Sequence, residues 1–223
     1  MAEINMTRKD IRDMARKRLG ETTAAFWSDE ELNGWINKGI KDIAFRSKTL
    51  KDNVVITATA DTMEYTFSVF VPNAHSVTEA YVQYLTGKWI KLKSTSRTEL
   101  DIMFPGWLGA PSSACSTHFF WDSEEDVFML YPPMSSPIAN GVRIYYTYEP
   151  RQMVADTDMS EMPDHLNLAI VDFVVATGFD TRGWTDKSND AWAKCYQRIR
   201  DYTTEHARER EDDNVISRNY RRR

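Results

Sequence analysis

The sequence predicts an α+β protein: a helical bundle formed by N- and C-terminal helices, with an antiparallel β-sandwich or barrel-like unit inserted between them. Three observations carry this. Apolar residues recur at helical spacing as far as Ser47, the period falls to two between Asn53 and Tyr148, and helical spacing returns after Pro163. A chain whose ends are both helical is most simply one bundle interrupted by an insert. The expected boundaries are 1–50 with 151–207 for the bundle, 51–150 for the β unit and 208–223 for a charged tail.

The first helix is expected to start at Thr7, with Asp10 reciprocating in a capping box, and to stop at Gly20. Ile11, Met14, Ala15 and Leu19 form its apolar stripe. Arg8, Lys9, Arg12, Arg16, Lys17 and Arg18 make the rest basic. Such a face is most often solvated; the alternative is a contact with an acidic neighbour or with phosphates. The second helix is the best marked in the chain. Ser28 and Glu31 form a capping box, and Trp27 and Leu32 are spaced for a hydrophobic staple. Asp29, Glu30 and Glu31 complement the helix dipole. Leu32, Trp35, Ile36, Gly39, Ile40, Ile43 and Ala44 then keep helical spacing as far as Ser47.

Strands follow. Val54–Ala58 and Met63–Phe67 flank a turn at Ala60-Asp61-Thr62. Val77–Leu85 turns at Thr86-Gly87 into Lys88–Leu92, the clearest hairpin. Ser96 and Glu99 make a third capping box, for a helix of one or two turns ended by Pro105-Gly106. After an irregular stretch, His118–Trp121 and Val127–Leu130 flank the acidic tip Asp122-Ser123-Glu124-Glu125-Asp126. Gly141 opens the last strand, Val142–Tyr148. Six or seven short strands suit a small sandwich or barrel-like unit.

Pro163 suits the first position of the next helix, whose stripe is Leu166, Ala169, Ile170, Phe173, Val174 and Thr177. Gly183 ends it. A last helix, starting near Thr185 or Asp186, carries Ala191, Trp192, Cys195, Tyr196, Ile199 and Tyr202. Beyond Ala207 the apolar period dies, so the tail is expected to be mobile when alone.

With 223 residues, 42% hydrophobic and 12% aromatic, the chain can bury a core without staples. Seven Trp and ten Tyr are rich for this length, and both residues concentrate where proteins meet partners. The net charge of −5 disfavours generic binding to nucleic acid or anionic membranes. Met1–Lys17 is charged rather than apolar, so no signal peptide is expected, and no run is long enough to span a bilayer. Cys115 and Cys195 stand alone, as reduced thiols of a cytoplasm-like compartment do.

The search for chemistry returns little. Cys115 and His118 are close in sequence, but a nucleophile pair needs spatial adjacency and an orienting group. His75, His118, His165 and His206 show no metal spacing. Asp156, Asp158, Glu161 and Asp164 lack the glycine and terminal glutamate of a calcium loop, which favours a solvated acidic loop. No phosphate-binding glycine loop or nucleophile elbow is present. No catalytic, cofactor or metal residue is therefore assigned. Tyr145, Tyr146, Tyr148 and Trp89, with Lys88, Lys91 and Lys93 nearby, could stack bases. A half-buried hairpin with snorkelling lysines is the commoner origin of this pattern.

Three segments go further. They are Phe26-Trp27-Ser28-Asp29-Glu30-Glu31-Leu32-Asn33-Gly34-Trp35-Ile36-Asn37-Lys38-Gly39-Ile40, then Val127–Pro133 followed by Val142–Pro150, then Met162-Pro163-Asp164 leading into Leu166–Phe173. In order and spacing they resemble the head-to-tail adaptor (connector, head-completion) proteins of tailed bacteriophages. Met162 replaces the family's usual Leu, and Gly39 its usual Ala. The resemblance implies a structural virion protein without catalysis or cofactor. It implies a homo-oligomeric ring, typically twelvefold, made in the host cytoplasm and resident in the virion neck. Its partners would be the portal protein on one side and a tail or nozzle protein on the other, with DNA passing without sequence-specific binding and no membrane involved. In that reading Arg218, Tyr220, Arg221, Arg222 and Arg223 form the expected interface. The alternative is a stand-alone module whose β unit binds a peptide, sugar or oligonucleotide.

Overall fold

All three capping boxes close as local chemistry dictates. Ser28 Oγ accepts the Glu31 amide while the Glu31 carboxylate accepts the Ser28 amide at 2.9 Å, and Thr7 with Asp10 and Ser96 with Glu99 do the same. The computed structural model describes residues 6–21, 26–84 and 87–220, with side chains through 206. In chain order the elements are α1 (Arg8–Leu19), α2 (Asp29–Ser47), β1 (Lys51–Ala58), β2 (Glu64–Thr66), β3 (Ala74–Gln83), β4 (Trp89–Lys91) and β5 (Lys93–Ser94). There follow α3 (Arg97–Met103), β6 (His118–Asp122), β7 (Val127–Tyr131), β8 (Ile138–Tyr148), α4 (Asp164–Thr181) and α5 (Thr185–Tyr220). Backbone contacts divide the chain into a unit of Met1–Leu50 with Pro150–Arg223 and a unit of Lys51–Glu149. The fold class is mixed helix and sheet, as expected.

In the helical unit α4 is the centre, touching α1, α2 and α5. The expected single stripe understates it. Leu166, Ala169, Ile170, Val171, Phe173, Val174, Val175, Ala176 and Phe179 are all buried, the signature of a helix covered on several sides. Two glycines let backbones approach. A Cβ at Gly39 would lie 2.8 Å from the Phe173 ring, and one at Gly178 would lie 2.9 Å from Leu19. Pro163 sits one position earlier than expected, at the N-cap of α4. The apolar period ends near Ala207, but the helical backbone of α5 continues to Tyr220. Its extension is rich in Arg and Glu, good helix formers that need no apolar stripe.

The β unit holds two four-stranded sheets, ordered β1-β8-β3-β4 and β2-β7-β6-β5. Ile56, Ala80, Val82, Val142, Ile144 and Tyr146 of the first share a core with Tyr65, Phe119, Phe128 and Leu130 of the second, so the unit is a sandwich. The barrel-like alternative is corrected: neither sheet closes, and each keeps two edge strands. Nor is it wholly antiparallel. β5 pairs in parallel with β6 (Lys93↔His118), because the long α3 crossover between them permits that direction. β1 and β2, expected around one turn, join different sheets. β8 begins at Ile138, before Gly141, and Asn140 with positive φ accompanies the register shift opposite Ile56 and Ala58. α3 and the turn at Trp107–Gly109 cover the outer face of the second sheet, where Leu100 and Trp107 bury Met129 and Tyr131.

Candidate interaction surfaces

The residues considered for chemistry are engaged in structural roles. The Cys115 thiol donates to the Ser116 carbonyl at 3.3 Å, and burial pushes its pKa up. The His118 Nδ1 meets Thr117 Oγ1 at 2.8 Å, and burial, followed by the charge of Lys93, moves its pKa down. Cys195 is buried, and desolvation, reinforced by Asp172 and Asp42, pushes its thiol up to about 12. Among the described residues no group of His, Cys, Asp or Glu is placed to hold a metal ion, and no helix is long and apolar enough to cross a membrane.

The acidic loop is not simply solvated, and neither is the basic face of α1; they bind each other. Asp156 takes Arg12 through two hydrogen bonds of 2.9 and 2.8 Å and Arg8 at 2.7 Å. These guanidinium groups hold its carboxyl well below the usual range, Arg12 contributing most. Around them the Arg8 amide donates to Asp158 O and the Ser160 amide to Met6 O, so residues 153–160 lie as a strap along α1. Arg16 is buried and donates to Asp29 Oδ1 at 2.5 Å, Glu21 Oε2 at 3.2 Å and Trp27 O at 2.9 Å. Arg18 reaches Asp172, which is 2% exposed and also accepts from Arg198 Nε at 2.7 Å. Arg8, Arg12, Arg16 and Arg18 thus pair with carboxylates of their own chain, which corrects the solvated reading for these four.

Among the outward residues several are apolar, aromatic or basic. A cleft of about 470 Å³ is lined by Arg18, Asp172, Phe179, Lys187, Lys194 and Arg198. At the α4–α5 corner the Arg182 guanidinium lies 3.6 Å from the Phe26 ring centre, 4.5 Å from Trp27 and 5.1 Å from Trp184. Val154 and Met159 stand exposed on the strap, and Ile102 and Leu108 on the cover of the second sheet. On the outer face of the first sheet, Arg143 sits 4.7 Å over Trp89, and Tyr81 meets Tyr145 edge-on at 5.8 Å.

Strand alternation separates the residues considered for base stacking. Tyr145 and Trp89 are on this outer face, whereas Tyr146 is in the core and Tyr148 packs against it. Arg143 escaped notice in the sequence, although its alternation with buried Val142 and Ile144 marks it as outward. Of the expected interface residues, Arg218 and Tyr220 fall on the last turns of α5, where only the backbone is described. Arg221, Arg222 and Arg223 lie outside the described residues.

The sequence that folds this way is matched by a family model. The model described as SU10 adaptor protein matches residues 6–222, nearly the whole chain. The chain belongs to the SU10 adaptor family. It is therefore a phage adaptor, a structural protein of the virion. No curated protein matches the adaptor significantly. The family match spans both units of the adaptor and includes α5.

Proposed function

We propose that the adaptor assembles as a homo-oligomeric ring in the virion neck, joining the portal protein to a tail or nozzle protein and continuing the DNA channel. The observation that carries this reading is the family match over residues 6–222. Charge supports it. Subunits of net charge −5 sum around a ring to a strongly negative annulus, which lets a polyanion slide without sticking. The outward aromatic and apolar residues supply surface for partners on more than one side. The basic end, Arg218, Tyr220, Arg221, Arg222 and Arg223, is the proposed contact with the portal or a neighbouring subunit.

Mixing the purified chain with portal rings of the same phage and following the products by electron microscopy tests this. The expected product is a stoichiometric ring complex, and failure to bind overturns the reading. Deleting residues 208–223 is expected to abolish the complex; unchanged assembly rejects the role of the basic end.

A further inference from the structure

Within the β unit Lys88, Lys93 and Arg143 have no carboxylate partner among the described residues, and of these three only Arg143 is half-buried. The buried Nε of Arg143 has no acceptor. Its neighbours on the outer face are otherwise satisfied. Lys91 pairs with Glu79 at 2.7 Å, and the Tyr81 hydroxyl donates to the same carboxylate at 2.8 Å. Register places these groups together: Arg143 lies opposite Tyr81, Tyr81 opposite Lys91, and Trp89 opposite Gln83. Arginine beside tryptophan and tyrosines on a half-buried surface is the composition of an interface centre. An unpaired guanidinium there calls for a planar anion to accept its fork of donors.

Among the described residues of the same unit, Glu64 and Glu124 are exposed carboxylates without a partner, and Glu124 stands on a fixed acidic tip. In the β6–β7 tip, Asp122 accepts the amides of Glu124 and Glu125, Asp126 accepts the Ser68 amide, and Glu125 pairs with Arg97. These bonds fix the tip. The Glu124 carboxylate, exposed at its end, has no partner among the described residues. The tip belongs to the second sheet and the outer face to the first.

We infer that the β6–β7 tip of one copy docks on the outer face of the β1-β8-β3-β4 sheet of the next, with Glu124 seated on Arg143 beside Trp89. Two different patches meet in such a contact, so it is heterologous and generates a ring when the rotation closes. The inference rests on the ring reading above and names one of the junctions within it. A nucleic-acid strand fits this face less well, because Glu79 stands among the cations and repels phosphate.

Charge exchange between full-length variants tests it, with assembly followed by native mass spectrometry and sedimentation, alone and on portal rings. Arg143→Glu and Glu124→Lys are each expected to weaken self-association at least tenfold, since like charges then face each other at every junction. Mixed together the two variants present opposite charges at both junctions and are expected to recover assembly, which also shows that each is folded. If the wild-type chain assembles and the single variants assemble equally well, the docking is wrong while the ring reading stands. If the wild-type chain forms no ring under either condition, the ring reading falls and takes this junction with it. Quenching of Trp fluorescence by single-stranded oligothymidylate that is lost in Arg143→Glu would instead assign the face to nucleic acid and overturn the inference.

Discussion

Arg12 and Asp156, 144 positions apart, face each other through two hydrogen bonds of 2.9 and 2.8 Å. With Arg8 they fasten the strap to α1. The Asp156 pKa is lowered on folding, so this contribution is complete above the ordinary carboxylate range, about 4, and is lost only as pH falls through the depressed folded value. Between pH 7 and pH 5 the strap should therefore stay attached. Hydrogen exchange at the Arg8 and Ser160 amides, which bond across the strap, measures this. Protection should persist at pH 5 in the wild type and fall in Asp156→Asn at any pH. Loss of wild-type protection at pH 5 would contradict it.

Gly39 faces the Phe173 ring at a distance where a methyl group has no room, 2.8 Å. Phe173 cannot simply rotate, because its ring is held edge-on against Trp192 at 5.0 Å. Gly39→Ala gains about 1 kcal/mol of helix propensity but overpacks the α2–α4 contact, at about 1–3 kcal/mol. The expected net loss is about 1 kcal/mol, or about 2–4 °C in Tm by calorimetry. A raised Tm would show that the helices separate freely.

Asp172 is the buried carboxylate on which Arg18 and Arg198 converge. Removing one partner of a buried pair costs about 3–5 kcal/mol, and both arginines keep about a third of their exposure, which lowers the figure. Asp172→Asn should cost about 2–3 kcal/mol in denaturant unfolding. Arg18→Ala and Arg198→Ala should each cost less than that, since Asp172 then retains the other arginine. Equal losses for all three substitutions would mean that packing, not charge, dominates.

The thiols should be poor nucleophiles. With its pKa pushed up to about 12, Cys195 stays protonated at pH 8 and should react with a thiol reagent only on unfolding. Cys115, raised by burial but only partly covered, should react first and more slowly than free cysteine. Cys115→Ala should leave folding and assembly unchanged. Rapid native labelling of Cys195 would contradict its place in the core.

Residues 51–149 are proposed to fold alone as an inserted domain. Their ends are neighbours, Lys51 pairing with Thr147, and both apolar clusters of the β unit draw on this segment only. The isolated segment should unfold cooperatively with a native near-UV spectrum; a molten product would refute independence.

Features set by neighbours in sequence were legible. The capping boxes at Thr7, Ser28 and Ser96 need only residues three apart, and the β3–β4 hairpin needs only its own turn. What hid from the sequence depends on distant partners. Arg12 and Arg16 look solvated until Asp156 and Asp29 are brought to them. β1 and β2 look like a hairpin until β8 and β7 claim them separately. The two-residue β5 has no periodicity to detect. The outer-face cluster was half visible: Trp89 and Tyr145 stood out by composition, while Arg143 required knowing which side of β8 faces away from the core.

The centre of the helical unit, α4, is made late. More than a hundred residues separate the end of α2 from its first turn, on the order of 10 s of synthesis at roughly 5–20 residues per second. During that interval α1 is made, but α4 and α5, which also pack on α2, are not. A chain stopped before residue 164 therefore leaves part of the apolar stripe of α2 without its final partner, so synthesis of the helical unit ends with its keystone.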